Sequence, residues 1–232
     1  MVNIKKTLKI YLYNCKLRIH RNLQYKYDFF IGIFISFFYA MIGPITQYLI
    51  FTQTKGYPGW SLKQLILFQG ILLIFTGIRN TMFGDVRPVV MDVVWKGDFD
   101  RFLLKPISPL ANLLSGCFNF SGIINIIIGL GVSIFMAQEL NVEISMFKIL
   151  IIIYAMILGM LLYISFVIFV CGTVLIFIKI GRTWEVIDAI LKFADYPLNL
   201  YPHVIQVIFW AIIPIGLISY FPTLSLLDKP TV

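Results

Sequence analysis

Charged side chains are scarce in this sequence. Only 13% of its 232 residues are Asp, Glu, Lys or Arg, whereas soluble domains carry about 25%. A soluble fold with so little charge could not cover its surface with polar groups, which argues against a soluble enzyme or a disordered chain. Hydrophobic residues make up 59% of the chain, and the mean hydropathy is +0.89. We therefore predict that lipid is the solvent for most of the surface.

Cysteine, histidine and the common catalytic motifs are rare or missing. The three cysteines are too scattered for a disulfide framework or a thiolate metal site, and the two histidines cannot form a metal cluster by themselves: Cys15, Cys117, Cys171, His20 and His203. There is no G-x-x-x-x-G-K-S/T phosphate loop, no H-E-x-x-H and no nucleophile elbow. These absences predict a chain with no catalytic residue, cofactor or metal of its own.

The net charge of +8 is concentrated near the N-terminus. In a lipid-facing chain the position of the charge matters more than its sum, so we predict no nucleic-acid partner. Residues 1–28 place apolar residues at helical spacing and cations on the other faces. This pattern predicts an amphipathic helix on the membrane surface, with these cations toward anionic head groups: Lys5, Lys6, Lys9, Lys16, Arg18, Arg21 and Lys26.

Long apolar runs predict an all-α polytopic membrane protein with about five to six transmembrane helices. Four spans are predicted at 29–51, 62–83, 107–137 and 146–180. The rest of the chain allows two interpretations. Either 182–200 is a polar fifth span followed by a re-entrant hairpin at 203–222, or 203–222 is itself the fifth span. The spacing of the prolines favours the first: Pro197, Pro202, Pro214 and Pro222.

The basic residues predict the orientation of these spans. Fifteen Lys or Arg residues lie in 1–28, 79–105 and 179–192, whereas the alternate segments hold only four: Lys55, Lys63, Lys148 and Lys229. Because cytoplasmic loops carry the excess of Lys and Arg, the N-terminus and the loop 84–106 are predicted to be cytoplasmic. Residues 29–232 then form the membrane domain, and its segment from about 201 to 232 is extracellular or re-entrant.

Two sets of polar residues interrupt the apolar helices. The third span carries a stripe of small and amide residues at a 4-3 spacing, including Asn112 and Asn119, which predicts packing within the subunit or, alternatively, a substrate path or a second subunit. The polar segment places Glu185, Asp188 and Lys192 at spacings of three and four, on one helix face. Charges at membrane depth must be paired or hydrated, so this face predicts a pathway or an interface.

The loop 84–106 is the most charged internal stretch. Its valines form an apolar stripe, Asp92 and Lys96 form an i, i+4 pair, and Gly97 is a plausible helix stop. These features predict a short amphipathic helix on the cytoplasmic side. It would lie on the lipid surface or insert into the groove of a cytosolic partner.

The run GDFDRFLLKP at 97–106, followed by Ser108 and Pro109, resembles the cytoplasmic signature of a bacterial family of ABC transporter permeases of the type-2 exporter class. A second pattern is similar to the same family: Phe193, Tyr196-Pro197, Tyr201-Pro202, Pro214 and Tyr220-Phe221-Pro222. Members of that family usually have a sixth span and a cytoplasmic tail after the extracellular segment, whereas this sequence stops at Val232.

The resemblance implies a half-transporter in the bacterial cell membrane. Such permeases work as homo- or heterodimers and bind two cytosolic ATPase subunits, which hold ATP and Mg, through the helix between spans two and three. The ATPase-docking residues implied are Val89, Val90, Asp92, Val93, Lys96, Asp98, Asp100 and Arg101. The apolar lining would suit a hydrophobic or amphipathic substrate such as a drug, lipid or peptide. The alternative function is a secondary transporter or channel that works without nucleotide.

Overall fold

The computed structural model describes residues 4–97, 99–104, 108–177 and 183–229, and all regular secondary structure among them is helical. The α-helices in these ranges are α1 Ile4–Gln24, α2 Lys26–Gln53, α3 Leu62–Phe83, α4 Val86–Lys96, α5 Phe99–Leu103, α6 Pro109–Ser115, α7 Ser121–Glu139, α8 Met146–Phe177, α9 Thr183–Lys192, α10 His203–Val207 and α11 Tyr220–Leu227. Short 3-10 or π turns connect the last of them: Phe193–Asp195, Leu198–Leu200, Ile208–Ile212 and Ile215–Leu217.

Four helical stretches in the described ranges are long and apolar enough to cross a membrane: Phe29–Gln53, Leu62–Lys96, Ser121–Glu139 and Met146–Val174. The prediction of an all-α polytopic membrane protein is therefore confirmed. The predicted spans 29–51 and 62–83 agree closely with α2 and α3. Such runs are readable from sequence because a chain in lipid must satisfy its backbone polar groups within each helix.

The predicted third span, 107–137, is wrong at its beginning, since the structure divides it into α6 and α7. Between these helices, the Cys117 carbonyl accepts a hydrogen bond from the Asp85 N–H at 3.1 Å. The Asn119 N–H donates to the Thr81 carbonyl at 3.0 Å. Because these backbone groups bond to the end of α3, they cannot continue their own helix. Within the predicted third span, only α7 is therefore long and apolar enough to cross the membrane.

Helices α3 and α7 make the most extensive helix contact in the described structure, and glycines bring their backbones together. A Cβ added at Gly129 would lie 2.7 Å from both the Gly70 carbonyl oxygen and the Ile74 nitrogen. A Cβ at Gly77 would lie 2.8 Å from the Gly122 carbonyl oxygen. Close backbone approach through small residues stabilises helix pairs in lipid. This part of the small-residue stripe therefore serves packing within the subunit.

The main core lies between α3, α8 and the C-terminal segment 209–224. Its fully buried side chains include Phe68, Phe75, Val167, Val170 and Ile218. Helix α2 differs, because only 6% of its apolar window is buried inside the chain. Its exposed face is made of large apolar side chains, among them Phe30, Phe34, Phe38, Ile42 and Ile45. In a membrane this face contacts lipid or another protein.

The two ends of the helix bundle differ in charge. We call the end that carries α1, α4 and α5 the basic end; there the Arg18 guanidinium donates to the Phe118 carbonyl at 3.2 Å. The opposite end carries residues 54–61 and 140–145, and at that end Lys63 pairs with Glu139 at 2.7 Å. The loops between α2 and α3 and between α7 and α8 therefore lie at the opposite end.

Residues 183–200 run antiparallel to α3 and connect the two ends. At the basic end, Asp188 of α9 faces Arg87 with an N–O distance of 3.8 Å. At the opposite end, the Trp60 indole donates to the Asn199 side-chain oxygen at 3.0 Å. We call this stretch the polar crossing. It is built from α9 and two short 3-10 turns rather than from one regular helix.

Residues 201–229 then form a helical hairpin whose ends lie together. Helix α10 and the following π turn bring the Phe209 ring to 4.8 Å from the Phe193 ring, and Ile218 lies against Gly159, in the middle of α8. Helix α11 returns the chain to the opposite end, where the Lys229 ammonium donates to the Gly59 carbonyl at 2.6 Å. The longest apolar helix here is His203–Ile212. The structure therefore has a polar crossing followed by a hairpin, not a continuous helix over 203–222.

Lys229 fixes the end of this hairpin to the start of α3. Its ammonium donates to the Gln64 side-chain oxygen at 2.8 Å and lies 4.6 Å from the Trp60 ring centre. Burial lowers the pKa of Lys229, because desolvation penalises the charged form. The neighbouring Asp228 pairs with Lys148 of α8 at 2.6 Å. These contacts join three elements at the opposite end of the bundle.

Candidate functional site

A cavity of about 340 Å³ lies between α3 and the polar crossing, and its lining carries charges of both signs. Arg79 comes from α3, Asp188 and Lys192 come from α9, and Asp195 comes from the 3-10 turn that follows. Side chains three or four residues apart on a helix lie on the same face, which aligns the last three of these groups. The remaining wall is mainly apolar and includes Leu72, Phe75, Leu191 and Ile218.

Buried polar side chains hold the polar crossing in place where its helix ends. The Gln69 amide of α3, only 5% exposed, donates to the Asp195 carbonyl at 2.9 Å. The buried Ser219 hydroxyl of the hairpin donates to the Ala194 carbonyl at 3.1 Å. Carbonyls at a helix end have no partner within the helix, so these donors remove the cost of burying them. The broken helix beside the cavity is thus stabilised by its neighbours.

The structure places two of the three charged residues predicted for a pathway in this cavity. Asp188 and Lys192 line it, whereas Glu185 is exposed on α9 and does not. Neither Arg79 nor Asp195 is among the residues that the sequence predicts for the site, although both line the cavity. The signal for Arg79 was an arginine inside an otherwise apolar span, which is unusual enough to indicate a functional position.

A second polar cluster lies at the basic end and includes Asn119. Asp85 forms an ion pair with Arg18 of α1, and its other carboxylate oxygen accepts a hydrogen bond from the Asn119 amide at 2.8 Å. The Asn119 side-chain oxygen in turn accepts from the Ser121 N–H at 2.9 Å. This cluster joins α1, the α3–α4 turn and the start of α7. Asn119 therefore has a bonding role within the subunit.

Asn112, the other asparagine predicted for a pathway or interface, is buried on α6, and its helix contacts α1, α4 and α5. Neither asparagine lines the charged cavity. The sequence predicts that both asparagines lie on one continuous helix with the glycines of the stripe. In the structure, the break between α6 and α7 separates Asn112 and Asn119 from the glycines of α7. The cavity therefore gives no support to these two residues as pathway residues, and their assignment to a pathway or a subunit interface stays a prediction.

Helix α4 confirms the amphipathic helix that the sequence predicts in the loop 84–106. It ends at Gly97, whose φ of 66° lies in the left-handed region that glycine adopts without strain. Asp92 and Lys96 form the expected exposed pair at 2.7 Å. Val90 and Val93 are buried, at 0% and 5% exposure, in the main core. The prediction that these two valines contact the ATPase is therefore wrong, because a partner cannot contact side chains that are buried in their own chain.

The surface that α4 and α5 leave exposed consists of other residues. Trp95 is 75% exposed, the largest value for any tryptophan here. Asp92, Lys96, Asp100 and Arg101 are also exposed, and Val89 is half-buried. Asp98, also predicted for docking, lies outside the described residues. We call Asp92, Trp95, Lys96, Asp100 and Arg101 the α4–α5 surface.

Comparison with protein families identifies the class. The model for ABC-2 family transporter proteins matches residues 28–232, which is most of the chain. No curated protein and no solved structure matches it significantly. The chain belongs to the ABC-2 transporter family, and it is a transmembrane permease component of a transporter. Within the described ranges, no group of three or more His, Cys, Asp or Glu residues could hold a metal ion.

Proposed function

We propose that this chain forms half of the translocation path of an ATP-driven exporter for a hydrophobic or amphipathic substrate. The observation that carries the proposal is the charged cavity beside a broken crossing, in a chain of the ABC-2 family. Charges in a membrane domain are costly unless paired or hydrated, so they mark a pathway more often than a packing surface. Energy comes from ATP and Mg bound on a separate cytosolic subunit.

The partners follow from two exposed surfaces. A cytosolic ATPase dimer docks on the α4–α5 surface, which places the basic end and the N-terminus in the cytoplasm of a bacterial cell, as the distribution of Lys and Arg favours. A second permease subunit, identical or related, packs with lipid against the exposed face of α2. Motion of α4 on ATP binding reaches α1 and α7 through the Arg18–Asp85–Asn119 cluster. The ATPase must bind the two states of the permease with different affinities.

Changing the α4–α5 surface is expected to uncouple transport from ATP hydrolysis. Trp95→Ala, or Asp100→Lys combined with Arg101→Glu, should lower nucleotide-dependent export in vesicles at least tenfold, because truncating a central interface anchor costs about 2 kcal/mol or more. These side chains are exposed in the isolated chain, so expression and insertion should not change. ATP hydrolysis and export by the co-purified complex are measured together.

The matched control is Lys63→Gln, which removes a charge from the opposite end of the bundle and should leave export unchanged. Val93→Asp is a poor docking variant, since it places a carboxylate in the core and is expected to reduce folded yield. Full coupling in the Trp95→Ala and charge-reversed proteins would show that the ATPase does not dock here. ATP-independent export by the chain alone would favour the secondary transporter.

The orientation of the hairpin gives a separate prediction. Single cysteines at His203 and Asp228, both exposed, should react with a membrane-impermeant maleimide added outside intact cells. A cysteine at Lys96 should react only after the membrane is opened, because α4 lies at the basic end. Since the hairpin starts and ends at the same bundle end, both hairpin sites share one side. Labelling of the two hairpin sites from different sides would contradict the re-entrant arrangement.

A further inference from the structure

We infer that the charged cavity binds the head group of a zwitterionic amphipath, with the alkyl chain along its apolar wall. This inference rests on the proposed function and names the substrate class. It starts from the charges in the lining, two cations and two anions. A ligand of one sign would leave some of these groups facing a like charge, whereas a ligand with both signs meets each with its opposite.

Two of the four charges already have partners. Asp188 faces Arg87, which lies outside the cavity lining, at 3.8 Å, and both side chains are about half exposed. The Arg79 guanidinium donates to Asn80 on its own helix at 3.2 Å and lies 5.5 Å from the Tyr163 ring centre. These contacts orient both groups in the lining of the cavity.

The other two charges, Lys192 and Asp195, have no hydrogen bond or ion pair with another side chain in the described part of the chain. They lie three residues apart where α9 passes into a 3-10 turn, a spacing that brings side chains to one face. Arg79 and Lys192 are within electrostatic reach of the Asp195 carboxylate. One cation and one anion thus stand side by side with free bonding capacity.

The apolar wall accounts for the second part of the ligand. Leu72 and Phe75, in the middle of α3, and Ile218 at the turn of the hairpin form this wall. A volume of about 340 Å³ is at the lower end of the range for small-molecule sites, which is about 300–1,000 Å³. It therefore accommodates a head group and the first part of a chain, with the remainder passing into lipid.

The test measures access to the cavity with a cysteine at Thr76, a lining residue. The Thr76→Cys protein is placed in nanodiscs without ATP or partner and labelled with N-ethylmaleimide. The native cysteines are buried, and the unsubstituted chain gives their background rate. Three probes share a dodecyl chain: dodecylphosphocholine, dodecyl phosphate and dodecyltrimethylammonium, at equal submicellar concentrations. Thr52→Cys, exposed at the end of α2, is the control for protection by the bilayer itself.

Dodecylphosphocholine is expected to slow labelling at Thr76→Cys about tenfold when present at ten times its dissociation constant, and the single-charge probes should slow it much less. With Asp195→Asn added, dodecyl phosphate should protect Thr76→Cys better than dodecylphosphocholine does. With Lys192→Gln added, dodecyltrimethylammonium should protect it better than dodecylphosphocholine does. Lys192 is exposed, so its replacement should not endanger folding. Lys63→Gln, a change of the same type at the opposite end of the bundle, should alter nothing.

Three results would overturn the inference: no labelling at Thr76→Cys, equal protection by all three probes, or a probe ranking that Asp195→Asn and Lys192→Gln leave unchanged. Because the assay contains no nucleotide and no ATPase, its failure concerns the ligand class only. If the probes bind but the complex shows no ATP-driven export, the binding site is supported and the proposed exporter function is wrong.

Discussion

Gly129→Ala is expected to lower the melting temperature of the purified permease by roughly 2–12 °C, since overpacking costs about 1–3 kcal/mol and each kcal/mol shifts a chain of this size by about 2–4 °C. The new methyl group would lie 2.7 Å from the Gly70 carbonyl oxygen and from the Ile74 nitrogen. Both are backbone atoms of α3, so relief requires the two helices to separate. Heating followed by fluorescence-detected size exclusion measures the folded fraction.

Gly131→Ala is the matched control on the same helix. A Cβ there meets nothing within 4 Å, and alanine favours a helix over glycine by about 1 kcal/mol, so this protein should be as stable as the parent or slightly more. The two variants make the same chemical change two residues apart. Equal stability of the two would show that α3 and α7 are not in close backbone contact.

Asp85→Ala is expected to release α1 from the bundle. The change leaves the Arg18 guanidinium without its carboxylate, at 19% side-chain exposure, and the Asn119 amide without an acceptor. Removing one member of a buried ion pair costs about 3–5 kcal/mol, and partial exposure reduces this to roughly 2 kcal/mol here. Cys15, buried on α1, reports the release, because its thiol should react with maleimide many times faster in the variant.

Asp92→Ala provides the comparison, since Asp92 pairs with Lys96 on the exposed face of α4. Exposed i, i+4 pairs contribute only about 0.3–0.5 kcal/mol, so Cys15 should remain protected. Adding Cys15→Ser to Asp85→Ala should abolish the new labelling, which would show that the label is on Cys15. If Cys15 stays protected in Asp85→Ala, the cluster does not hold α1, and the proposed route from α4 to α7 through it is wrong.

The sequence predicts the membrane-crossing helices because hydropathy and length are local properties. It could not predict the break before α7, which depends on hydrogen bonds from residues 117–119 to the end of α3. The valine stripe of α4 shows the same limit. Periodicity indicates an apolar face, but only the tertiary structure shows that Val90 and Val93 face the core of the same chain.

The candidate site was predictable in part. Asp188 and Lys192 stood out as charges at helical spacing in a hydrophobic chain, which is a local signal. Arg79 joins them only because α3 and the polar crossing run antiparallel, and no spacing rule relates residues so far apart in sequence. Asp195 lies beside them because Gln69 and Ser219 bond the backbone where the helix ends.

The proposed function requires a separate cytosolic ATPase subunit that binds the α4–α5 surface. A photo-reactive amino acid in place of Trp95, activated in intact cells, would reveal what binds this surface. We expect one dominant protein adduct, in which the permease is cross-linked to an ATP-binding subunit, and loss of that adduct when Asp100→Lys and Arg101→Glu are added. Adducts with lipid alone, or with proteins outside the cell, would contradict it.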